Sequence, residues 1–176
     1  MTDTVSSKII TIFGGSKCGQ GSLEYREALE VGNRLAKAGY TICTGGSRGA
    51  REAGGRVLGI VMNQFKSEPN RFLTDKVATD HFYDRLQNLI TRSVGFVALR
   101  GGMGTVTEIS LVWNKLQTGV LDRRPLVLIG DCWRRVVAAW EENLVVSKSD
   151  ISLLDFARDA AEASEIIIRK TQGVSV

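Results

Sequence analysis

The sequence predicts an α/β fold, a mostly parallel sheet covered by helices on both faces, on three observations. Short β-branched runs alternate with stretches of helical hydrophobic spacing along the whole chain. Three of those runs end in glycine pairs, Gly14–Gly15, Gly45–Gly46 and Gly101–Gly102. Glycine is abundant and proline scarce, 19 against 2, a balance that favours tight turns over flexible linkers. Alternating strands and helices build parallel sheets through right-handed crossovers.

Taken in order, Lys8 to Phe13 is a β-branched run suited to a buried parallel strand. Leu23 to Ala38 places Leu23, Ala28, Val31, Leu35 and Ala38 at helical spacing and stops at Gly39, a C-cap candidate. Tyr40 to Thr44 and Arg56 to Met62 are the next strands, and Asp80 to Arg92 reads as a helix. Val94 to Leu99 is a strand, Thr105 to Thr118 a helix, Pro125 to Ile129 a strand and Trp133 to Val145 a helix. A short strand near Leu153 and a helix from about Asp159 to Lys170 close the series. The pattern is that of a Rossmann-like three-layer fold in a single domain, residues 1–176, with no internal repeat or linker.

Composition narrows the function classes. With 43% hydrophobic and 24% charged residues in 176, the chain is an ordinary globular protein with one substantial core. The net charge of +4 is scattered, its densest clusters being the pairs Arg123–Arg124 and Arg134–Arg135, so a nucleic-acid footprint is not expected. DNA handling would instead require a continuous basic groove and binding that weakens steeply with salt. Three cysteines without paired spacing, Cys18, Cys43 and Cys132, fit a reducing compartment, with Cys43 buried on a strand. The polar stretch from Met1 to Ser7 has no leader pattern, and no apolar run approaches a membrane span. A cytoplasmic location without membrane attachment is the expectation.

The glycine pairs carry the chemistry. In an open parallel sheet, ligands bind outside the carboxyl ends of the strands. Glycine there admits a phosphate close to backbone N–H groups, and the following helix offers its positive end. Candidate phosphate or nucleotide contacts are therefore Gly14, Gly15 and Ser16, Gly45 and Gly46, and the loop of Arg100, Gly101, Gly102, Gly104 and Thr105. The richest segment is Arg100-Gly-Gly-Met-Gly-Thr-Val-Thr-Glu108. Thr105-x-x-Glu108 satisfies the capping-box pattern, in which Glu108 would only bond a backbone amide. A catalytic carboxylate is the equal alternative. His81 is the only histidine, so a Ser–His–Asp triad or a histidine metal cluster lacks support. Trp113, Trp133 and Trp140 read as core or interface anchors.

The segment from Arg100 to Glu108 resembles the PGGxGTxxE signature of the Lonely Guy family, also described as lysine decarboxylase-like. The likeness covers nearly the whole chain. Ile10-Thr-Ile-Phe-Gly-Gly-Ser16 is similar to the family's first strand and turn, Thr44-Gly-Gly-Ser47 to its second glycine turn, and Gly49-Ala-Arg-Glu-Ala-Gly-Gly55 to the end of the next helix. The resemblance implies hydrolysis of the N-glycosidic bond of AMP or an N6-modified AMP, with Glu108 and Arg85 as catalytic residues. It also implies a homodimer or higher homo-oligomer, a small-molecule nucleotide as partner, and neither metal nor other cofactor. Lysine decarboxylation would need a pyridoxal phosphate lysine, and no recognisable site for one is present.

Three departures accompany the match. Arg100 stands in place of the signature proline, and Ser47 in place of a third glycine. Ser47 also runs directly into Arg48-Gly-Ala, so the span from Gly45 to Arg56 barely reaches the dozen residues a parallel crossover needs. Either the second helix is stunted or the strand pairing is rearranged. The alternative function is a non-catalytic carrier of a nucleotide or cofactor, akin to the molybdenum cofactor carriers of the same superfamily.

Overall fold

The computed structural model describes residues 8–15, 19, 21–45, 55–64 and 73–172. Seven parallel strands form one sheet in the order β4-β3-β2-β1-β5-β6-β7. They are β1 (Ile9–Phe13), β2 (Thr41–Thr44), β3 (Val57–Met62), β4 (Asp75–Thr79), β5 (Gly95–Ala98), β6 (Leu126–Ile129) and β7 (Leu154–Ala157). The helices are α1 (Leu23–Lys37), α2 (Phe82–Thr91), α3 (Met103–Gln117), α4 (Asp131–Asn143), α5 (Lys148–Ile151) and α6 (Ala160–Thr171). The expected three-layer Rossmann-like α/β architecture is the observed one.

Alternation along the strands divides the core. In β1, Ile10 and Ile12 face a layer with Val31 and Leu35 of α1 and Ala163 and Ile167 of α6. Phe13 turns the other way, among Leu89 of α2, Ile109 and Val112 of α3 and Trp133 of α4. Strands buried on both faces explain why the sequence shows continuous apolar runs. Thr11, fully buried in β1, has its hydroxyl paired with the Leu89 carbonyl at 2.8 Å and the Ser93 hydroxyl at 2.6 Å, which removes the cost of burying it.

Local signals account for the element ends. Ser22 caps α1 by accepting from the Tyr25 amide at 3.1 Å, and Asp159 caps α6 by accepting from the Glu162 amide at 2.9 Å. Gly39 follows α1 at φ +88°, the left-handed conformation that ends helices cheaply only in glycine.

The structure corrects the sequence reading in four places. β4, at one edge of the sheet, was not expected: its sequence, DKVAT, is polar and mostly exposed. Short α5 was also missed, although it is fixed by a capping box of Ser147 and Asp150. β2 pairs in parallel with β3, Ile42 opposite Val57 and Cys43 opposite Leu58, so the short crossover rearranges no pairing. Residues 46–54 lie outside the described residues, and with them any stunted helix. Finally, α3 begins at Met103 rather than Thr105, with Gly102 at the N-cap and no side chain capping it. Thr105 therefore does not cap the helix, and it forms no capping box with Glu108.

Candidate functional site

The strand order makes β1 and β5 the inner pair at which the sheet's winding reverses, where open α/β sheets hold ligands. The turn after β1 and the loop after β5 meet there. The Leu99 amide donates to the Phe13 carbonyl at 2.9 Å, and the Leu99 side chain lies against Gly14, where a methyl group would approach it to 3.3 Å. The Leu99 carbonyl accepts from the indole Nε1 of buried Trp133 at 3.2 Å. Both backbone groups of Leu99 are thus fixed just before the glycine loop.

That loop leads into α3 through exposed Gly101, Gly102 and Gly104. Thr105 is 3% exposed and packs under Gly101, where its Cβ would lie 2.7 Å from any Cβ added to that glycine. Without a side-chain cap, the first turn of α3 offers backbone donors and the positive end of the helix to an anion. Arg100 is 72% exposed in its side chain and pairs loosely with Glu24 at 3.7 Å. Gly15 lies half-buried at the β1 turn. Ser16 and Gly46 fall outside the described residues, as does Cys18.

Arg85 and Glu108 come together from different helices. Arg85 sits in the first turn of α2, Glu108 in the second turn of α3, and Nη1 lies 3.6 Å from Oε1. Both side chains are mostly buried, 15% and 12% exposed. Arg85 also donates from Nε to the Ile60 carbonyl at 3.2 Å and from Nη2 to the Gly45 carbonyl at 3.3 Å. Burial pushes the Glu108 carboxyl up to about 7, the nearby Arg85 charge only partly opposing it. A carboxyl that changes charge near neutrality can take or give a proton at physiological pH. Cys43 is buried beside this region and its thiol is pushed up to about 11 by burial, so it is no nucleophile.

Among the described residues, no three His, Cys, Asp or Glu side chains gather as a metal site would require. No helix among them is long and apolar enough to cross a membrane. His81 is exposed, at the N-cap position of α2. Trp113 and Trp133 are buried, and Trp113 stacks on Trp140 with centroids 6.1 Å apart. The sequence reading missed one contributor, Trp133, which anchors the glycine loop through its indole, and it expected a phosphate contact at Gly45, against which the structure places the Arg85 guanidinium. Nothing near Trp133 in sequence signals its partner.

The chain is similar to proteins of known name in sequence and in fold. The chain is 29% identical over 131 residues to a cytokinin riboside 5′-monophosphate phosphoribohydrolase of Mycobacterium tuberculosis, covering 67% of this chain and 69% of that protein. A protein of the same name from Mycobacterium marinum is 30% identical over 65% of this chain and 67% of its own length. In fold, a molybdenum cofactor carrier protein of Chlamydomonas reinhardtii superposes with a TM-score of 0.71 at 22% identity, over 94% of this chain and 99% of its own. The family model described as "Possible lysine decarboxylase" matches residues 45–167, a stretch that includes Gly45, Arg85, the glycine loop and Glu108. Over that stretch, and with its Arg100 to Glu108 signature, the chain belongs to the possible lysine decarboxylase family, the Lonely Guy family.

Proposed function

We propose that this protein is a nucleoside 5′-monophosphate phosphoribohydrolase, converting AMP or an N6-modified AMP and water to free base and ribose 5-phosphate. The observation that carries the reading is Glu108, a mostly buried carboxyl titrating near neutrality one turn beyond an uncapped helix start. Two similar proteins bear the name of that activity.

In this reading each part of the site has a role. The 5′-phosphate sits at the amides of Gly102 to Thr105, with the β1 turn at Gly14 and Gly15 alongside. The bond between ribose C1′ and the base nitrogen breaks through a ribosyl cation-like state. The base leaves with the electron pair, and its nitrogen takes up by way of Glu108 the proton that the attacking water gives up. Ionised Glu108 stabilises the cation and accepts a proton from the water whose oxygen bonds to C1′. Arg85 holds Glu108 in place. The reading includes a homodimer; exposed Phe82, Tyr83 and Met103 open the two helices that carry Arg85 and Glu108, and sedimentation velocity tests it.

A second reading is a nucleotide or cofactor carrier. The short span between β2 and β3, residues 45–56, favours it by leaving little chain to enclose a ribose. Incubating purified protein with AMP and with N6-isopentenyl-AMP, and following base and ribose 5-phosphate by chromatography, separates the two. Base release abolished by Glu108→Gln supports the enzyme. Nucleotide binding by calorimetry without base release supports the carrier.

A further inference from the structure

The glycine pair after β2 reads from sequence as a phosphate turn, but the structure puts something else against Gly45. A Cβ added there would collide with Nη2 of Arg85 and lie 3.0 Å from its Cζ and 3.7 Å from its Nε. The face of Gly45 that a side chain would occupy is filled by the guanidinium of a residue on α2, forty positions later in the chain.

A guanidinium is a rigid plane with its donors at fixed angles. Two bonds therefore define where the rest of it points. Nε is held by the Ile60 carbonyl at the end of β3, and Nη2 by the Gly45 carbonyl just past β2. With those satisfied, Nη1 is directed at Oε1 of Glu108. Each nitrogen of the group has a protein acceptor or counter-charge, which describes a strut rather than a free phosphate anchor.

We propose that Gly45 is a positioning residue whose missing side chain seats the Arg85 guanidinium across the ends of β2 and β3 and thereby sets the place of Glu108. Its consequence for turnover rests on the phosphoribohydrolase reading; its consequence for the Glu108 carboxyl does not. Gly45→Ala displaces the guanidinium, leaving Glu108 with less of its counter-charge, while the phosphate amides of the glycine loop are untouched.

The test has an arm independent of activity. Isotope-labelled glutamate carboxyls are titrated by NMR in wild type, Gly45→Ala, Arg85→Met and the double variant. The Glu108 midpoint rises by about one pH unit in Gly45→Ala, and by no more in the double variant than in Arg85→Met alone. Turnover splits in the same way: kcat of Gly45→Ala falls on the order of 100-fold, the scale of a misplaced catalytic group, while AMP affinity by calorimetry is retained. An unmoved Glu108 midpoint, additive shifts, or lost AMP binding with Glu108 unchanged overturns the proposal and returns Gly45 to the phosphate. Should Gly45→Ala fail to fold, Arg85→Lys keeps the charge without the fork. A raised Glu108 midpoint supports positioning there, and a wild-type midpoint overturns it. Wild-type protein inactive on both nucleotides would sink the hydrolase reading and leave the titration arm standing.

Discussion

The two ends of α2 are each served by an arginine, and the two arginines do opposite things. At the C-terminal end, Arg124, from the residues leading into β6, donates Nη1 to the carbonyls of Ile90 at 3.4 Å, Thr91 at 3.3 Å and Ser93. A cation on the last carbonyls of a helix satisfies open acceptors and meets the negative end of the dipole. At the N-terminal end, Arg85 sits in the first turn, where the dipole disfavours a cation, and faces Glu108. The helix has no basic residue in its own last turn. Besides its own C-cap residue Arg92, which bonds Asn88, the helix receives a second C-terminal cation in Arg124, while Arg85 stands at the electrostatically wrong end. The first arginine satisfies a helix end; the second faces a buried carboxyl.

The sharpest break in this comparison comes from the partner that only the N-terminal end possesses. Glu108→Gln lowers kcat for AMP or N6-isopentenyl-AMP by at least about 100-fold, the scale of a lost general acid or base, measured by base release. Stability moves the other way. The native carboxyl binds its proton up to about pH 7 whereas its ordinary value is 4.5. Between those values the native state holds more protons than the unfolded one, so stability falls as pH rises through the window. At pH 8, Glu108→Gln is accordingly more stable than wild type by up to about 3 kcal/mol, and below pH 4 the gain vanishes. Denaturant melts at the two pH values read this directly.

The C-terminal arginine has the opposite profile. Arg124→Met lowers the unfolding free energy by about 1–2 kcal/mol through lost carbonyl bonds, with kcat per folded molecule unchanged. Arg85→Met also gives up two carbonyl bonds, to Ile60 and Gly45, so its stability falls by a similar amount, and the two variants are separated by kcat, lost in Arg85→Met and kept in Arg124→Met. An unchanged kcat in Arg85→Met would erase the distinction between the ends. Smallest is Arg100→Ala: its exposed pair with Glu24 at 3.7 Å is worth less than about 1 kcal/mol, so melts stay nearly unchanged. A raised KM for AMP would show Arg100 attracting the phosphate, the role its place beside the glycine loop suggests.

Much of this was legible in the residues. The apolar runs ending in glycine pairs specify buried parallel strands that stop at tight turns, because period and turn chemistry are local properties of the chain. Arg85 and Glu108 were legible through the resemblance carried by the Arg100 to Glu108 signature, and the structure brings them within 3.6 Å. Strand β4 was not legible: Asp75, Lys76 and Ala78 are exposed, so DKVAT carries no apolar run to mark it. Nor was the start of α3. Thr105-x-x-Glu108 satisfies a capping pattern, but burial of Thr105 beneath Gly101 carries the helix back to Met103.

By itself, then, the sequence determined the layers, the ends of the glycine-terminated strands and the place of the glycine loop before α3, all set by neighbours within a turn or two along the chain. The tertiary structure alone decided what surrounds Gly45, Trp133 and Glu108. Gly45 meets a guanidinium from α2, Trp133 reaches back to Leu99, and burial pushes the Glu108 carboxyl up to about 7 against the partial opposition of Arg85. Those relations depend on desolvation and on contacts between segments distant in sequence, which no local pattern encodes.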